Sequence, residues 1–250
     1  MTRHHAPAAR LPRALPRPPH PRGRRTRVAL LCGLLLAGVL STVLLARAGA
    51  GTDRCTWLAE RSVARANLVT GPRAGEQVLV VGDSYSVGAS LPPERSWPVR
   101  LPGRVHVAGF GGSGFTRYAS PCGDRSYATR LALALREHPR PALVVLEGGL
   151  NDTDRPDVEL RRGFARVVRV LDGRPALVVG PAPAPARPRA QVRRVDATLA
   201  RLAAEADLPY VSMLGLRLGY LPDRLHPTSA GQRRFGDRVA ARVEGLLAAR

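Results

Sequence analysis

Val78-Leu79-Val80-Val81-Gly82-Asp83-Ser84 decides the fold of this 250-residue chain. Its first four residues are apolar at every position. Such a run reads as a strand buried on both faces, as in a parallel sheet covered by helices. The glycine and two polar residues that follow end the strand in a tight turn. Working outward, 142–146 and 176–179 repeat the pattern, and 105–108 and 210–213 are weaker versions of it. Between these runs lie helix-period stretches at 126–137, 158–171, 190–206 and 230–249. Strands that alternate with helices imply βαβ units and a doubly wound α/β fold of about five parallel strands. No internal repeat is visible. The Pro/Ala-rich stretch 181–189 reads as a stiff loop after a strand, so the domain is expected to run from 76 to 250.

In open α/β sheets the working residues gather outside the carboxyl ends of the strands. Four short segments fall there: Gly82-Asp83-Ser84 after the first strand, the glycine-rich 109–114 after the second, Gly148 to Asp152 after the third, and Asp223-Arg224-Leu225-His226 before the last helix. A serine hydroxyl attacks only when a neighbouring base takes its proton. Histidine is the usual base. Of the three histidines in the domain, His106 lies inside a strand and His138 at a helix end. His226 alone follows a carboxylate by three residues in a rim loop. Asp223 can hold one ring nitrogen and leave the other for Ser84. Charge on a tetrahedral oxygen needs fixed donors, and the candidates are the Ser84 amide, a glycine amide and the Asn151 side chain.

These residues, in this order, resemble the SGNH (GDSL-type) hydrolase superfamily over about 76–250. The first block reads GDSYSVG, with Tyr85 where many members have leucine. The second is the glycine of VAGFGGSGF, assigned to Gly112 with Gly111 and Gly114 as rivals, because the usual upstream asparagine is missing. The third is GLND with Asn151, and the fourth DRLH with Asp223 and His226. The resemblance implies a flavodoxin-like three-layer α/β/α fold, no metal or cofactor, and hydrolysis of O-acyl esters. An O-acyltransferase with the same triad, or a non-catalytic envelope binding module, are the alternatives. Asp152, Asp154 and Asp157 resemble a loose acidic metal loop but lack its glycine and glutamate, and read as solvated or capping residues. Trp57 and Trp97 read as packing residues.

The net charge of +20 contains 39 basic residues, all of them arginine. No basic stripe is interleaved with aromatics, so nucleic-acid binding is not expected. Eight of those arginines lie in 1–27, a Pro/Arg-rich tail without an acid that is expected to be disordered and cytoplasmic. Residues 28–46 then run 19 positions without a charge. That approaches the ~20 needed to span a bilayer, and arginines on one side fit a cytoplasmic N-terminus. A membrane helix or signal anchor over 28–46 is therefore expected, with the catalytic domain outside the cell membrane. Cleavage after Ala46-Arg47-Ala48 and secretion is the alternative. Residues 47–75 read as a linker with an approach helix over 57–68. Cys55 and Cys122, the two cysteines beyond the apolar run, suggest one disulfide in an exported domain.

Overall fold

A computed structural model describes residues 22–69 and 75–249, with the side chains of 22–30, 45–50 and 68–69 left aside. Its compact units are Met1–Thr52 and Asp53–Arg250. The first element is a long helix, α1 (Arg22–Val63). There follow β1 (Asn67–Val69), β2 (Gln77–Gly82), β3 (Arg104–Gly109), α2 (Tyr127–Glu137), β4 (Leu143–Glu147), α3 (Asp157–Leu171), β5 (Ala176–Val179), α4 (Arg189–Glu205), β6 (Tyr210–Val211) and α5 (Ser229–Ala248).

The sheet order is β1-β3-β2-β4-β5-β6. Strands β3, β2, β4, β5 and β6 are parallel, as the alternating pattern predicted. Strand β1 is a sixth, antiparallel strand on the β3 edge, pairing Asn67 with His106. Alternate residues of each strand feed two cores. Val78, Val80, Val105, Val107, Val145 and Val179 pack with Trp97 and with Phe235, Val239 and Val243 of α5. Leu79, Val81, Val144, Leu146 and Val178 pack under α2, α3 and α4, against Leu131, Phe164 and Leu199. Because Val78 to Val81 are all fully buried, each contributes roughly 1.5–3 kcal/mol of apolar burial. Three layers result, with the sheet in the middle.

The N-terminal expectations need correction. The tail expected over 1–27 lies outside the described residues as far as 21, and 22–27 already open α1. The expected linker from 47 is helical, and α1 continues to Val63 instead of restarting at Trp57. Residues 47–56 carry no proline, and arginine and alanine favour continuation enough to offset the glycines. The approach helix stops at Val63 because the chain turns into β1. Of the run 28–46, the described side chains at 31–44 are exposed. Among the described residues no helix is long and apolar enough to cross a membrane. Trp97 is buried on Phe235, but Trp57 is half exposed beneath the Arg61 guanidinium.

Cys55 and Cys122 are joined, with Cα atoms 5.5 Å apart across a sequence separation of 67; Cys32 is a free thiol. The bridge ties the last turns of α1 to the loop between β3 and α2. Closing a loop of that length should stabilise by about 4 kcal/mol in the chain-entropy model. Cys122→Ser is therefore expected to lower the urea unfolding free energy by that order. A loss below about 1 kcal/mol would mean that the unfolded chain is not held by this link.

Candidate active site

The last residue of β2, Gly82, must be glycine for a steric reason. A Cβ there would sit 1.9 Å from Ser86 Oγ and 2.8 Å from Glu147 Oε2. The chain then turns through Asp83–Ser84–Tyr85–Ser86, with Val87 N–H donating to the Asp83 carbonyl (3.2 Å) and Ala89 N–H to the Ser84 carbonyl (2.9 Å). Asp83 is buried, and its Oδ1 accepts from Tyr85 N–H at 2.9 Å. Ser84 is half-buried at the head of this turn. Beneath it Ser86 Oγ donates to Glu147 Oε2 at 2.6 Å. Burial, and then the neighbouring Asp83, push the Glu147 carboxyl well above the usual range.

Beside the turn runs the glycine-rich loop. Phe110 N–H donates to the Gly82 carbonyl at 3.1 Å, which holds the loop against the end of β2. A Cβ placed on Gly111 would lie 4.0 Å from the Ser84 Cβ. Gly112, at φ +78°, has nothing within 4 Å of that position. Gly111 is therefore the glycine of this loop that packs towards Ser84. Gly114 has a different task, since a Cβ there would meet the Asp152 carboxylate at 2.3–2.7 Å. Asp152 accepts from Phe115 N–H (3.0 Å) and Thr116 N–H (2.9 Å) and so clasps the end of the loop.

After β4 the backbone takes φ +147° at Gly148 and +114° at Gly149. Side chains avoid that region, and a Cβ at Gly148 would also strike the Tyr127 hydroxyl. The bend delivers Asn151, whose Nδ2 donates to the Ser113 carbonyl (2.9 Å) and to Asp83 Oδ2 (3.2 Å). Asn151 thus bridges the nucleophile turn and the glycine loop. Arg130 supports the same loop from inside, donating to Ser113 Oγ at 2.8 Å; burial lowers its pKa to about 10.

The last segment is a turn in which Arg224 takes φ +57° and Leu221 N–H donates to the His226 carbonyl at 2.8 Å. Asp223 organises it. Oδ1 accepts from Leu225 N–H (2.9 Å) and His226 N–H (3.0 Å), while Oδ2 lies 2.6 Å from His226 Nδ1. Partial burial opposes ionisation of Asp223, but the two N–H groups and the His226 ring hold its carboxyl below the usual value. The turn is fastened to the serine turn by Tyr85, whose hydroxyl donates to the Leu225 carbonyl at 2.7 Å. The Tyr85 and His226 rings lie 6.4 Å apart.

Of the site residues expected from sequence, Asn151 is bonded to the turn that bears Ser84, the Asp223–His226 loop is latched to that turn, and of the glycines Gly111 rather than Gly112 packs towards Ser84. Tyr85, Glu147 and Arg130 had no assigned role, and Asp152, read from sequence as solvated or capping, is instead fully buried on the Phe115 and Thr116 N–H groups. The departure from leucine at Tyr85 was the one visible signal among them. Its hydroxyl reaches a carbonyl 140 residues away.

The buried carboxyls carry a pH consequence. Burial raises Asp152 from the ordinary 3.8 to about 6, against the opposing bonds from Thr116 and Phe115. A carboxyl raised in the folded state contributes stability below its unfolded pKa and loses it as pH rises through about 6. The shift corresponds to roughly 3 kcal/mol. Asp152→Asn leaves one N–H without its acceptor and destabilises at every pH. Its deficit relative to wild type should nevertheless shrink between pH 4.5 and 7.5 by about 2 kcal/mol, read from urea unfolding. An equal deficit at both pH values would show that Asp152 does not titrate in this window.

Comparison with known proteins gives the family and the fold. The model of the GDSL-like lipase/acylhydrolase family matches residues 80–234. An arylesterase of Vibrio mimicus is 31% identical over 114 residues, covering 45% of this chain and 56% of that protein. The chain therefore spans little more than half of that relative. A candidate arylesterase from Agrobacterium tumefaciens strain C58 superposes with a TM-score of 0.60 at 25% identity, over 68% of this chain and 99% of the other. A carbohydrate acetylesterase family member from Sinorhizobium meliloti gives a TM-score of 0.60 at 22% identity, over 69% and 99%, a likeness of fold.

Proposed function

The chain belongs to the GDSL-like lipase/acylhydrolase family, and we propose that it is a serine carboxylic ester hydrolase in which Ser84, His226 and Asp223 form the catalytic triad. The observation that carries this reading is the Asp223–His226 pair. Its carboxylate is fixed by two backbone N–H groups, and its loop is latched by Tyr85 to the turn that bears Ser84. With Asp223 on Nδ1, Nε2 of His226 is free to take the serine proton.

Ser84 Oγ adds to the ester carbonyl carbon, and its proton passes to His226. The resulting oxyanion is held by the amides of Ser84 and Gly112 and by Asn151 Nδ2. Asn151 can release its longer bond to Asp83 and keep the shorter one to Ser113. Collapse of the adduct expels the alcohol, which takes the proton from His226. Water, deprotonated by His226, then cleaves the acyl-serine and frees the acid. No step requires a cofactor.

The relatives named as arylesterases and carbohydrate acetylesterases favour short acyl groups on aryl or sugar alcohols. We place the reaction outside the cytoplasmic membrane, because a disulfide persists in oxidising compartments and Leu31, Leu34, Leu35, Leu36 and Leu40 of α1 are exposed on a helix. Within the charge-free run 28–46, with arginines before it, such a surface suits an anchor in lipid. The substrate would then be a small or envelope-bound ester.

The test is a panel of p-nitrophenyl esters from acetate to palmitate, assayed on the full-length protein. Highest turnover is expected at two to four acyl carbons. No turnover of any ester, in protein that a fluorophosphonate also fails to label, would overturn the reading.

A further inference from the structure

We propose that His106, Glu137 and His138 form a second site, one that binds a zinc-class divalent transition metal. Each residue offers a ligand atom, and these atoms lie within 4.8 Å of one another. His106 comes from β3, Glu137 is the last residue of α2, and His138 caps that helix. The two imidazole rings are 4.1 Å apart, centre to centre.

A metal-ligating histidine needs its second nitrogen held by an outer partner, which fixes the tautomer and aims the ring. Both rings have one. His106 Nδ1 is 3.0 Å from Asn67 Oδ1. An amide oxygen accepts, so Nδ1 carries the hydrogen and Nε2 keeps its lone pair for the metal. His138 Nδ1 lies 2.6 Å from Gln77 Nε2, and a half-turn of that amide exchanges its nitrogen for its oxygen. With the amide oxygen turned to face the ring, the arrangement repeats on the second ligand. These outer residues come from β1 and β2, so four elements converge on the cluster.

The donor set selects the ion. Two imidazoles and a carboxylate suit zinc, cobalt or nickel rather than calcium or magnesium, which prefer oxygen. A four-coordinate zinc with ligands at 2.0–2.2 Å needs its donors about 3.3 Å apart. Rotation of the exposed Glu137 carboxylate and small ring tilts would close the present spacing. Three protein ligands leave a fourth position for water, and Asn67, His106 and Glu137 line a groove of about 490 Å³ that admits it.

This site is separate from the catalytic rim. Gln77 opens β2 and Gly82 closes it, and five steps of about 3.3 Å put them roughly 16 Å apart. A metal there fastens the end of α2 to the β1–β3 edge, the one margin where the sheet finishes in a three-residue strand. Its role is to hold the fold, and the ester chemistry does not pass through it.

The probe is Co²⁺, added to full-length protein freed of metal by EDTA and dialysis. Wild type is expected to bind one equivalent with the visible absorption of a four- or five-coordinate ion, and Zn²⁺ should displace it. His138→Ala should weaken binding at least about 100-fold, beyond the 10–100-fold seen for outer-shell changes. Glu137→Gln, at an exposed position that cannot endanger folding, should weaken it at least about 10-fold and shift the absorption. Absence of the band in wild type would overturn the proposal. So would a band unchanged in both variants, which would assign the metal to His4, His5 or His20.

Discussion

Ser84→Ala should lower kcat/KM on a short-chain p-nitrophenyl ester by about 10⁴–10⁶-fold while leaving the melting temperature where it is. The size follows from the triad acting as a unit: without the nucleophile, His226 and Asp223 have nothing to activate, and only binding and the oxyanion donors remain. The unchanged stability follows from the turn itself. Ser84 is tied to it through its backbone carbonyl, which accepts from Ala89 N–H, and alanine keeps that bond. The turn is otherwise held by Asp83, by Tyr85 and by the Ser86–Glu147 bond beneath it. Circular dichroism and melting, run beside the assay, separate loss of chemistry from loss of fold. A variant with more than a tenth of wild-type activity would remove Ser84 from the reaction. A simultaneous loss of labelling by a fluorophosphonate would complete the case for it.

Three of the parallel strands were legible because the sequence states their burial directly. Val78–Val81 has no polar face to show, and a run without a polar face has one common home. The weaker runs at 105–108 and 210–213 are interrupted by a histidine and a serine, yet they fill the same sheet. Strand β1 could not be read, since Asn67-Leu68-Val69 is three residues long and exists only because β3 offers an open edge. The continuity of α1 was hidden by Gly49 and Gly51, which suggest a break that neighbouring helix formers override.

The site divides in the same manner. Ser84, Asn151, Asp223 and His226 carry chemistry that a short motif announces. The supports do not, because each depends on a partner far along the chain: Tyr85 on Leu225, Glu147 on Ser86, and Asp152 on the amides of Phe115 and Thr116. Sequence preferred Gly112 to Gly111 and Gly114 only by counting from the end of the strand. Only packing separates Gly114, pressed on Asp152, from Gly111, which packs towards Ser84. His106 and His138 were each unremarkable alone, and only the packing of α2 on β3 joins them.

Asp223→Asn is expected to lower kcat by about 10³–10⁴-fold with little change in KM, through the tautomer of His226 and not through loss of charge alone. Asp223 Oδ1 accepts two backbone N–H groups, from Leu225 and His226. In the variant the single amide oxygen must stay on those donors, because an amide nitrogen there would face N–H against N–H. The NH₂ group then occupies the place of Oδ2, 2.6 Å from His226 Nδ1. It can only donate, so Nδ1 becomes the acceptor and the ring hydrogen moves to Nε2. That is the nitrogen Ser84 needs as a base, and it is now blocked; the corresponding change in a serine protease triad costs about 10⁴ in kcat. Since the backbone bonds of the turn survive, the protein should stay folded and bind ester as before. Asp223→Ala makes the control: it frees the ring instead of locking it in the wrong form, so it should retain more activity than the asparagine variant at high pH. Equal activity for the two variants across the pH range would show that Asp223 acts through charge or loop geometry. Wild-type activity in both would place the base elsewhere.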